Sequence, residues 1–117
     1  GAGSDYRDPS EYGGYDRMFI GKWVVEDEDS TYIVIDSASP QVGGYSVEMS
    51  FFRKGSGSGY ANIDGDDLYI NQGDLNGGSI NGYISRVGNK LMFKVTYSED
   101  LNIRSGDEYV YVKGVNG

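Results

Sequence analysis

The sequence predicts an all-β protein, a compact eight-stranded antiparallel up-and-down barrel. Between Ile20 and Gly114, apolar and polar residues alternate with period two in about eight short runs. Each run closes on Gly, Asn, Asp or Ser, residues suited to reversing the chain. The links between runs are mostly short, which favours strands that pair in sequence order. Closing such a sheet on itself removes the exposed edges that an open one would carry. A β-sandwich of the same strands is the alternative, because strand periodicity does not separate the two.

Residues 1–17 read as a flexible leader, and 18–117 as the single barrel domain. The leader sets Asp5, Asp8, Glu11 and Asp16 among glycines and three tyrosines, with no regular period. One helical turn fits near Pro9–Tyr12, with Asp8 as its cap. Strand one falls at Ile20–Glu26, followed by an acidic turn through Ser30, and strand two at Thr31–Asp36. Ser37–Gly44, with Pro40 and a Gly43-Gly44 pair, is a loop. Strand three, Tyr45–Arg53, has the cleanest alternation: Tyr45, Val47, Met49 and Phe51 against Ser46, Glu48 and Ser50.

Lys54–Ser58 reads as a Gly/Ser hairpin tip. Gly59–Asp64 and Asp67–Asn71 pair around Gly65-Asp66, and Gln72–Gly78 is a glycine-rich connection. Strand six, Ser79–Arg86, joins Lys90–Tyr97 through Gly88-Asn89, a two-residue hairpin signature. Glu99–Gly106 is a polar loop before the last strand, Asp107–Lys113. The inward set is Ile33, Ile35, Val47, Met49, Phe51, Ile63, Leu68, Ile70, Ile80, Ile84, Leu91, Phe93 and Val95, joined near the rims by Tyr45, Tyr97, Tyr109 and Tyr111.

Composition narrows the chemistry. Ten basic and eighteen acidic side chains give a net charge of −8, a field that repels nucleic acids and anionic membranes. No run is long enough for a membrane span. Without histidine or cysteine, Ser–His and Cys–His nucleophiles are excluded. Glu48 is the only mid-strand carboxylate and has no partner acid for glycoside hydrolysis. Asp64-Gly65-Asp66-Asp67 lacks the alternating ligand spacing of an EF-hand and reads as a hairpin. The expectation is a non-enzymatic protein with no metal and no cofactor.

A short irregular leader followed by Gly21-Lys22-Trp23 at the opening of the first of eight strands resembles the lipocalin and calycin superfamily. The acidic, Tyr- and Gly-rich composition looks like the compact lipocalin-like lipoproteins exported by gut Bacteroidetes. The resemblance implies that Trp23 closes one end of the barrel and that a basic residue after the last strand packs across it. Lys113 stands there, where the family usually has arginine. It further implies an extracytoplasmic protein, periplasmic or on the cell surface, with room for a lipid anchor upstream.

Two functional expectations follow. One is a small apolar ligand held in the barrel by Tyr45, Met49, Phe51, Phe93, Tyr97, Tyr109 and Tyr111. The other is an interaction module that meets an extracellular protein or glycan through outer tyrosines Tyr32, Tyr60, Tyr69 and Tyr83, with no internal site.

Overall fold

The computed structural model describes residues 9–37 and 44–114. One helix, α1 (Pro9–Phe19), precedes eight strands: β1 (Gly21–Val25), β2 (Glu28–Ser37), β3 (Tyr45–Phe51), β4 (Gly55–Asp64), β5 (Asp67–Leu75), β6 (Gly78–Val87), β7 (Lys90–Ser98) and β8 (Glu108–Lys113). Each strand pairs antiparallel with the next, and β8 returns to β1, so the sheet closes as an up-and-down barrel. The sandwich alternative is set aside.

The barrel core follows from the alternation. Ile33, Ile35, Val47, Met49, Phe51, Leu68, Ile70, Ile80, Ile84, Leu91, Phe93 and Val95 are all buried, and Ile63 packs half-buried against them. Four further members escape the strand pattern: Phe19 from the helix, Ala61, Leu75 and, from the β7–β8 loop, Ile103. Thr31 is the one buried polar side chain among the described residues, and its hydroxyl accepts the Phe52 N–H at 3.0 Å.

Three expectations change. The Gly/Ser stretch is strand rather than hairpin tip: Gly55, Gly57 and Gly59 pair with Phe51, Met49 and Val47. A run of glycine and serine has no apolar alternation to reveal it, yet its backbone completes the ladder. The expected Gln72–Gly78 connection is mostly strand too, because β5 continues to Leu75 and turns at Asn76-Gly77. Tyr97 was expected inward and instead lies 48% exposed. Asn81 pairs with Tyr97 but the next residue, Gly82, pairs with Val95, so Thr96 is an extra residue in β7. Such a bulge reverses the alternation beyond it.

The leader also differs. Its second half is a helix of 11 residues laid against one end of the barrel rather than a flexible tether. Helix formation here leans on docking. Phe19 is fully buried, Tyr15 stacks on it at 6.3 Å, and Tyr15 also donates its hydroxyl to the Gly65 carbonyl. The expected Asp8 cap and the centre of the Ser37–Gly44 loop lie outside the described residues.

Candidate functional site

Three regions compete as the site: the interior, the outer wall and the seam between the first and last strands. Within the interior, Met49, Phe51, Phe93 and Tyr111 are buried, and Tyr109 tilts against Phe51 with ring centroids 5.0 Å apart. Tyr45 is buried at the helix end, where its hydroxyl donates to the Asp16 carboxylate at 2.6 Å. These side chains pack on one another and on inward-facing glycines. A methyl at Gly82 would lie 2.5 Å from the Phe93 ring, and one at Gly73 only 2.9 Å from Ile80 Cγ2. The interior of an eight-stranded barrel is just wide enough for side chains to fill it, and here they do so around the β5–β7 wall. Burial pushes the Tyr111 hydroxyl well above the tyrosine range, and that hydroxyl has no hydrogen-bond partner among the described residues.

The helix end is locked. The last carbonyls of a helix lack intrahelical partners and carry its negative pole. Here the barrel supplies donors to three successive carbonyls. Arg86 Nη1 donates to Met18 at 2.6 Å, Trp23 Nε1 to Phe19 at 2.9 Å, and Lys113 Nζ to Ile20 at 2.8 Å. Both cations also approach the indole, Lys113 at 4.7 Å and Arg86 at 5.0 Å from its centroid. Lys113, which the resemblance sets after the last strand, is here the final residue of β8, paired with Trp23 and lying across its ring. Arg86, 68 residues from Met18 in the chain and unremarkable as the end of an alternating run, gives no signal in the sequence.

On the outer wall the tyrosines are not scattered. Register places Asn62, Tyr69, Tyr83, Lys94 and Glu108 side by side across β4 to β8. Two residues along their strands, Tyr60 and Asn81 lie on the same face, with Tyr97 opposite Asn81; Asn71, also exposed, sits where both ladders of β5 slip register. The bulge at Thr96 is what adds Tyr97 to this face. Tyr60 and Tyr97 stand most exposed, at 52% and 48%. Tyr69 and Tyr83 are half-buried against each other, with centroids 4.5 Å apart. The Asp64 carboxylate beside Tyr83 raises its pKa, with a smaller contribution from burial. Tyr32 belongs elsewhere: it lies on β2 beneath the Lys22 ammonium, 4.5 Å from its ring.

At the opposite end from α1, the β1–β8 seam parts. An open groove of about 380 Å³ runs between the β1–β2 hairpin, which lines it with Val24, Val25 and a lip of acids from Glu26 to Asp29, and β8, which lines it with Val112 and the basic Lys113. Asp27 adopts a left-handed φ of 66°, as the tight turn there demands.

Catalytic features are sparse. Glu48 is exposed on the outer face, opposite Val34 and Ser58. Asp64 to Asp67 form a two-residue hairpin with Gly65 at φ 62°. Among the described residues no group of three acids is placed to hold a metal ion, and no helix is long and apolar enough to cross a membrane. No family model, curated protein or solved structure matches this chain.

Proposed function

We propose that this protein is a non-enzymatic glycan-binding module, and that the outer wall of β4 to β7 is its contact surface. One observation carries the reading: Tyr60, Tyr69, Tyr83 and Tyr97 share a sheet face with Asn62 and Asn81. Tyrosine rings offer flat apolar area to the C–H faces of sugars, and hydroxyls and amides offer paired donors and acceptors. A packed barrel behind the wall keeps it rigid, so little order is lost on binding. The net charge of −8 directs the choice toward neutral rather than polyanionic chains. The closed eight-strand order and the cation-covered Trp23 support kinship with the calycins, and an extracytoplasmic location would give the wall access to glycans.

Affinity electrophoresis through gels containing neutral polysaccharides, backed by a glycan array, tests this. Retardation by at least one neutral glycan is expected. It should weaken about tenfold in Tyr60→Ala/Tyr97→Ala, since two ring contacts are lost. A folded protein that no neutral glycan retards would overturn the reading.

A small guest inside the barrel is the second reading, favoured by the unpartnered Tyr111 hydroxyl. Native mass spectrometry after incubation with a lipid and metabolite extract decides it. A bound mass that disappears in Tyr111→Phe supports the guest. If no mass appears and Tyr111→Phe is more stable by about 1 kcal/mol, the hydroxyl is simply an unpaired polar atom and the guest is excluded.

A further inference from the structure

The β1–β8 ladder is the shortest in the barrel, with only Trp23 paired to Lys113 and Val24 to Val112. At its helix end the Gly114 N–H donates to the Lys22 carbonyl at 2.8 Å. Backbone groups alternate sides along a strand, so Val112, Val110 and Glu108 face β1 in the same way. The other ladder agrees: the Val95 N–H donates to Asp107, which sets Tyr109 and Tyr111 toward β7 and leaves Val110 facing away from it. Val112 finds its partner in Val24. Val110 and Glu108 find none in the ladder, because β1 has already ended at Val25.

The cause is a bulge. Val25 pairs with Glu28, but Val24 pairs with Tyr32, so Asp29, Ser30 and Thr31 are extra residues in β2. They separate the hairpin tip from the regular ladder, and the groove beneath that tip reaches β8 at Val112 and Lys113, the last paired residues next to the unpaired edge. Natural edge strands are usually short or guarded by charge, because unpaired backbone recruits other strands. The guard here is acidic on four consecutive residues, Glu26 to Asp29, with Glu108 on the edge itself.

We propose that this seam docks an extended basic segment of a partner protein. The segment adds its backbone to the edge at Val110 and Glu108, and its Lys or Arg side chains lie along the Glu26–Asp29 lip. Strand addition draws affinity from main-chain hydrogen bonds and selectivity from flanking side chains. Charge selects the occupant. A second copy of this chain, itself at −8, is repelled by the same lip that attracts a cationic strand. The edge shares only Glu108, the end of the outer row, with the tyrosine wall of β4 to β7, and none of the wall's tyrosines, so either can fail without the other.

The test is an NMR titration of the isotope-labelled chain with a short peptide alternating lysine and valine. Three comparison peptides accompany it: one with proline at the central valine, one with glutamate for lysine, and one with the same residues in scrambled, non-alternating order. The expected result is a set of shifts at Val110, Glu108 and Val25, slowed exchange of the Val110 N–H, and affinity that falls with added salt. The proline peptide should bind about tenfold more weakly, because it cannot complete the ladder. Glutamate should abolish binding. Val110→Pro removes the seam donor and spares the β7 ladder, so binding should drop about tenfold with the melting curve little changed. If that variant does not fold, Glu26→Gln/Asp29→Asn carries the test through the charge. Equal binding of all lysine peptides, with shifts confined to Glu26–Asp29, means unspecific polycation attraction and overturns the proposal. Concentration-dependent protection of Val110 without peptide identifies a second copy as the occupant and overturns it too.

Discussion

The two ends of this barrel solve the same problem in opposite ways. At the helix end, the chain that precedes β1 folds back as α1, and the barrel's own donors take up its terminal carbonyls. The seam there is zipped, from Val24–Val112 down to the Gly114–Lys22 hydrogen bond. At the hairpin end no helix covers the opening. Ile103 drops into the core from the β7–β8 loop, Tyr109 leans on Phe51, and the β1–β2 tip parts from β8. One end is built from long-range contacts that converge on Trp23. The other is held by separate bonds between neighbouring turns, such as Asn76 to Asp100 and Phe52 to Thr31, that share no central residue. The difference is one of closure: the helix end is capped by α1 and zipped along the seam, while the hairpin end leaves β8 without a ladder partner beyond Val112.

Substitution at Trp23 should break that contrast most severely. Trp23→Ala removes a buried indole and the surface on which Arg86 and Lys113 rest. A loss of about 3–5 kcal/mol is expected in urea unfolding. If the cost were under 1 kcal/mol, the helix end would not be the anchor. Next comes the middle of the barrel, which both ends share. Gly82→Ala places a methyl 2.5 Å from the Lys94 carbonyl and the Phe93 ring, one of them backbone that moves little. Overpacking of this kind costs about 1–3 kcal/mol. A neutral result would mean that the interior has slack for a guest.

The helix itself can be strengthened. Gly14 sits inside α1 with open space where a Cβ would go. Gly14→Ala should therefore stabilise the protein by about 0.5–1 kcal/mol, as glycine costs that much within a helix. The gain should vanish when Trp23 is also replaced, because the helix then has nothing to dock on. A gain that survives would show the two to be independent.

Much of this was legible in the sequence, and each miss has its own physical cause. Alternation reported the strands wherever side chains alternate, and it placed Ile33 to Val95 inward correctly apart from the rim. It failed at Gly55–Gly59, where β4 has almost no side chains to alternate, and at Tyr97, where one extra residue reverses the phase. A bulge is invisible to a period-two count that does not know where the ladder slips. Helix α1 was read only as one turn near Pro9–Tyr12, because two glycines and scattered tyrosines hide its face, and docking supplies what propensity lacks. The wall was half legible: three of its four tyrosines were assigned to the outer face, but register was needed to set Tyr69 beside Asn62 and Tyr97 beside Asn81. Arg86 was illegible, since its role depends on where α1 ends.

The hairpin end makes a sharper prediction about acid. The Asp100 carboxylate accepts hydrogen bonds from Asn76 Nδ2 at 3.0 Å and from the N–H groups of Asn102 and Ile103 at 2.8 and 3.0 Å. These bonds, the Asn76 amide first, hold its pKa below the ordinary aspartate value. A lowered folded pKa means stability that is present above the unfolded value, near pH 4, and lost as pH falls through the folded one. Protection factors at Asn102 and Ile103, taken relative to the intrinsic exchange rate at each pH, should therefore fall selectively on acidification, before the helix end opens. Simultaneous opening of both ends would make the barrel one cooperative unit and erase the distinction.

The smallest effect is the most telling. Glu26→Gln/Asp29→Asn changes two exposed charges at the lip and no buried contact, so stability should stay within about 0.5 kcal/mol of the parent. Relief of repulsion among four consecutive acids would, if anything, raise it slightly. A hairpin tip that contributes nothing to stability yet keeps an acidic, incompletely paired edge is consistent with recognition and not with folding. A loss well beyond that range, in a melt at low salt, would instead make the lip part of the scaffold, held by Lys113 and the β8 edge. The two ends would then differ in geometry but not in purpose.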